Sequence, residues 1–78
     1  MTGIENRNAS TWRDENLMIV YAVEGYARRH NITTRDAYTI FTKHGITADI
    51  RKHYGILHTQ DPDETVYFCE DVLAWKQT

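Results

Sequence analysis

Seventy-eight residues make one domain at most, because chains divide into units of roughly 100–200 residues. With 41% hydrophobic and 26% charged residues, one proline and one cysteine, the chain is neither collagen-like nor disordered. The lone cysteine excludes an internal disulfide framework and a paired-cysteine zinc or redox site. The longest apolar run, Leu17–Val23, is far short of the ~20 residues that span a bilayer, and no secretory pattern opens the chain; a cytoplasmic protein is expected.

A chain of this size buries only about 60% of the surface it exposes when unfolded, so its stability must come from good helix packing or from a partner chain. Two tryptophans, five tyrosines and two phenylalanines supply large areas for that burial. The net charge of −2 is unevenly spread: residues 1–25 carry −2, residues 26–55 carry +4 and residues 56–78 carry −4. Two readings follow. The basic centre either steers a charged partner or pairs with the acidic end of its own chain.

Residues 1–12 show no periodicity and read as a flexible arm, with Trp12 as an anchor onto a single helical domain over 13–78. Asp14–His30 is the longest predicted helix. Asp14 and Glu15 stand at its start and Arg28, Arg29 and His30 at its end, the order that the helix dipole favours. Its apolar run covers nearly every direction around the helix, which calls for a central position or a second chain. Asn31–Ile32 ends it, and Thr33 or Thr34 caps a second helix through a near capping box, Thr33-x-x-Asp36. Ala37, Ile40 and Phe41 form the core stripe of that helix, and Gly45 stops it behind Lys43 and His44.

Thr47 reads as the N-cap of a short third helix on which Ile46, Ile50 and Tyr54 share a face, with Gly55 as its stop. Ile56–Gln60 is expected to be extended or irregular, and Asp61-Pro62-Asp63 to turn. A last helix carries Phe68, Cys69, Val72 and Leu73 at helical spacing, while β-prone residues 65–68 could instead pair with 56–58 as a small hairpin. The expected fold is all-α: a compact bundle of three or four short helices, with or without that minor two-strand hairpin.

The residues offer little chemistry. His30, His44, His53 and His58 lack metal-ligand spacing, Cys69 lies on a core stripe, and no phosphate loop or nucleophile elbow is present. No enzyme activity, metal or cofactor is expected. Two helices around Gly45, with Arg51, Lys52 and His53 on the second, outline a helix-turn-helix, although Phe41 stands where such a crossing needs a small residue.

Glu24-Gly25-Tyr26-Ala27, then Tyr38 with Phe41, then Tyr54-Gly55-Ile56-Leu57-His58-Thr59-Gln60, then Glu70-Asp71 form a recognisable succession. It resembles a family of short bacterial proteins of unknown function, over roughly residues 17–75, and the Leu-His-Thr-Gln segment is its most specific part. Some members of that family are encoded beside toxin genes, including ADP-ribosyltransferase-like ones. The resemblance implies a toxin-neutralising or otherwise partner-binding role and supplies no catalytic residues.

The function expected is therefore non-catalytic protein binding, antitoxin-like or regulatory, with a DNA-binding helix-turn-helix regulator as the alternative. His58, Thr59, Gln60, Arg51 and Lys52 are the candidate partner-binding residues; the first three serve either as a recognition edge or as a local hydrogen-bond network. Met18, Ala22 and Gly25 are the candidate seam of a homodimer through the first helix.

Overall fold

A computed structural model describes residues 9–77, with side chains from residue 11. Five helices follow one another: α1 (Ala9–His30), α2 (Thr34–Lys43), α3 (Ile46–Lys52), α4 (Tyr54–Leu57) and α5 (Pro62–Lys76). The fold is all-α. No strand forms among the described residues, and none of these helices is long and apolar enough to cross a membrane.

Helix α1 begins at Ala9, earlier than expected, and takes in residues 9–12 of the predicted arm; the rest of that arm lies outside the described residues. The early start has a tertiary cause. The Arg51 guanidinium lies 3.9 Å above the centre of the Trp12 ring, which draws the first turns of α1 against α3. At its other end α1 stops where the sequence places the stop. Asn31 adopts a left-handed φ of 55°, and the Ile32 and Asn31 amides bond back to the Ala27 and Arg28 carbonyls, which satisfies two carbonyls of the last turn.

Thr33 caps α2 by accepting the Asp36 amide at 3.0 Å. Gly45, at φ 70°, turns the chain from α2 into α3 and is itself the N-cap, so α3 starts at Ile46 rather than after Thr47. Two further expectations are corrected here. Gly55 does not stop a helix but sits inside α4, and residues 56–58 and 65–68, the predicted hairpin strands, lie in or beside α4 and α5. Pro62 explains the second difference: its fixed φ and missing amide suit the first turn of a helix, so the Asp61-Pro62-Asp63 turn is also the start of α5. The β-prone run that follows inherits a helix already nucleated.

Helix α1 is the central element and packs against α2, α3 and α5. Ile19, Ala22, Val23 and Ala27 from α1 meet Ala37 and Phe41 from α2, Ile46 and Ile50 from α3, Leu57 from α4, and Cys69 and Leu73 from α5. Gly25 marks the tightest approach: a Cβ built there would stand 2.7 Å from Val66 Cγ2, so only glycine lets α5 come this close. Phe41, the residue too large for a helix-turn-helix crossing, is wholly buried in this core.

Candidate functional site

The apolar run of α1 is divided between two environments. Ile19, Ala22 and Val23 face the core, whereas Leu17 is 49% exposed and Tyr21 60% exposed. Residues 14, 17, 18 and 21 recur at helical spacing on one side of α1. Opposite that side stand Tyr54, Leu57 and His58 of α4 and its exit, with Pro62 and Thr65 of α5 behind them. The three elements enclose a groove of about 280 Å³. A second hollow, of about 330 Å³, lies on the other side of α4 between Ile56 and the Glu64–Phe68–Asp71 face of α5. Leu57 and Gln60 line both, so α4 is a ridge between two grooves.

The Leu-His-Thr-Gln segment divides its labour along this ridge. Leu57 is buried and anchors α4. The His58 ring stacks on the Tyr54 ring at 4.9 Å and 10°, and its Nδ1 lies 2.9 Å from the Tyr54 carbonyl, so the ring that lines the groove is held by its own helical turn. Thr59 donates its hydroxyl to the Ile56 carbonyl at 2.7 Å, a local bond that closes the end of α4. Gln60 is exposed and faces both grooves. Tyr54 carries a phenol held above its ordinary range by burial, and then by the Asp14 and Glu15 carboxylates.

The remaining expected residues are placed differently. Arg51 lines neither groove: its guanidinium, stacked over the Trp12 ring, bonds Glu15 Oε1 at 3.1 Å and Asn16 Oδ1 at 2.6 Å. It is a structural cation, and only Lys52 of the pair is exposed. The proposed dimer seam is likewise corrected. Ala22 is 1% exposed and Gly25 is buried against Val66, because these small residues let α5 into the chain's own core; only Met18 of the three reaches the groove.

Glu15, at 2% exposure, is the functional-looking residue that the sequence reading passed over. Its signal was there: Glu15, Ile19, Ala22 and Val23 share one helical stripe, so a carboxylate stands on the apolar face and needs a buried cation.

At the C-terminal end of α1, Arg29 donates Nε–H to Glu70 at 2.7 Å, and His30 Nε2 lies 2.9 Å from the same oxygen. The Arg29 hydrogen bond holds the Glu70 carboxyl below its ordinary range, burial opposes this, and the His30 contact reinforces it. Lys76 donates to the His44 carbonyl at 2.6 Å and pairs with Asp49 at 2.8 Å, which fastens the end of α5 to the α2–α3 turn. Thus part of the basic centre does pair with the acidic end. Burial pushes the Cys69 thiol up to about 12, so it offers no thiolate nucleophile near neutral pH. No group of three or more His, Cys, Asp or Glu side chains gathers into a metal-holding cluster among the described residues.

No curated protein and no solved structure matches the chain. A protein family of unknown function, DUF3791, matches residues 17–76, which span the whole of the groove's apolar lining and α2 to α5, and the chain belongs to that family.

Proposed function

We propose that this chain is a non-catalytic protein-binding module, antitoxin-like or regulatory, whose partner seats in the groove between α1 and α4. The observation that carries this reading is the pair Leu17 and Tyr21, large apolar side chains about half exposed beside a formed hollow rather than scattered singly. Aromatic anchors over a shaped depression are what protein partners use for most of their binding energy. The DNA-binding alternative draws less support, because Arg51 is committed to Glu15 and Asn16.

Co-expression with the product of the adjacent gene tests the proposal. A complex that survives size-exclusion chromatography is expected, and Leu17→Asp or Tyr21→Glu should weaken it at least tenfold, the effect of losing a buried anchor of about 1.4 kcal/mol or more. Both positions are exposed in the free chain, so circular dichroism of the variants should match the wild type. A complex indifferent to both substitutions puts the partner elsewhere, and retention of the gene's own promoter DNA with steep salt dependence would favour the regulator instead.

A further inference from the structure

The groove's charge is as one-sided as its apolar lining. Asp14 and His58 line the first hollow, Glu64, Asp71 and His53 line the second, and among the described residues neither is lined by a lysine or an arginine. Among the described residues none of these three carboxylates is in an ion pair, unlike Glu15, Asp49 and Glu70, which hold Arg51, Lys76 and Arg29. Around α4 an apolar floor is thus bordered by carboxylates, with His58 on one side of the ridge and His53 on the other.

We infer that the occupant of this surface is a cationic amphipathic helix of a partner protein, its apolar face on Leu17, Tyr21 and Leu57 and its lysines or arginines against Asp14, Glu64 and Asp71. This rests on the protein-binding reading and narrows it. Helix-in-groove docking fits because the walls are helices and no sheet edge is offered among the described residues. From Asp14 to Tyr21 the wall runs about 10 Å at 1.5 Å per residue, which accepts two turns of a guest helix with anchors at i, i+4 and i+7. An anionic membrane or a nucleic acid would meet the same carboxylates with the wrong sign, and like charges across an interface exclude a partner.

The probe is a fluorescein-labelled synthetic helix of about 15 residues with leucine at i, i+4 and i+7 and lysine on its flanks, beside a twin carrying glutamate for lysine. In fluorescence anisotropy the cationic helix is expected to bind about tenfold tighter than the acidic twin at low salt, since each rim pair contributes a few-fold. The preference should fade as salt screens the rim. Asp14→Asn/Glu64→Gln/Asp71→Asn should reduce it to about twofold, and Leu17→Ser should weaken both helices alike.

Equal binding of the twins overturns the inference. So does cationic binding that survives Leu17→Ser, which would be unspecific charge attraction. A free chain that sediments as a dimer and becomes monomeric with Leu17→Ser also overturns it, since a second copy would then fill the groove. The neighbour-gene complex separates the two levels: loss with Leu17→Asp but not with the triple neutral variant leaves the protein-binding reading standing and removes only the charge.

Discussion

At position 15 a carboxylate 2% exposed pairs with the Arg51 guanidinium, which is itself held by the Asn16 side-chain oxygen and lies over the Trp12 ring, in a small chain where a buried charge without a partner is costly. Removing Arg51 takes a close cation from a nearly buried carboxylate. Arg51→Ala should therefore destabilise the fold by about 3 kcal/mol, and Arg51→Met, which keeps the stem's packing but not the charge, by nearly as much. The double variant Glu15→Leu/Arg51→Met should recover most of the loss, because an apolar pair of similar volume needs no desolvation. Urea unfolding at neutral pH measures all three. Stability unchanged in Arg51→Ala would mean that Arg51 is a surface cation after all and would reopen its use by a partner.

Among the elements, those delimited by local signals could be read from the sequence. The end of α1 at His30, the Thr33 cap and the Gly45 turn follow from dipole order, a hydroxyl and a left-handed backbone, each carried by one or two adjacent residues. The start of α1 and the whole of α4 were not legible, because Trp12 is helical through its ring contact with Arg51 and Tyr54–Leu57 through the burial of Leu57. Both depend on residues distant in the chain. The groove was half legible for the same reason: His58 and Gln60 stand out as residues, but only the packing reveals that Leu17 and Tyr21 face them. Between elements, the Arg29–Glu70–His30 cluster joins α1 to α5 and gives that contact a pH dependence. Glu70 titrates lower in the folded chain than its ordinary 4.5, so the stability it confers is complete above that value and is lost as the pH falls through the depressed one. The melting-temperature difference between wild type and Glu70→Gln should shrink below about pH 4.5. A difference that keeps growing below that pH would contradict the pairing.

For the molecule as a whole, Cys69 reports on the integrity of the core, being wholly buried where α5 meets the rest. Its labelling by iodoacetamide should proceed only through unfolding, with a rate that rises with urea in parallel with the global transition. Labelling much faster than global unfolding would reveal an opening of α5 alone. Helix α4 is anchored more sparsely, with a single buried residue, Leu57, and a glycine at position 55 with open space around it. That ridge is the common wall of both grooves, so the surface that would receive a partner exists only while α4 is closed. Apparent affinity then falls in proportion to the time the wall is open. A substitution that never touches the guest, such as Gly55→Ala in this unobstructed helical position, would tighten binding by lowering the entropy of the open state. In the proposed complex, control of affinity would then be separable from recognition: Leu17, Tyr21 and the carboxylates would choose the guest, and the glycine of α4 would set how often the door is there to be entered.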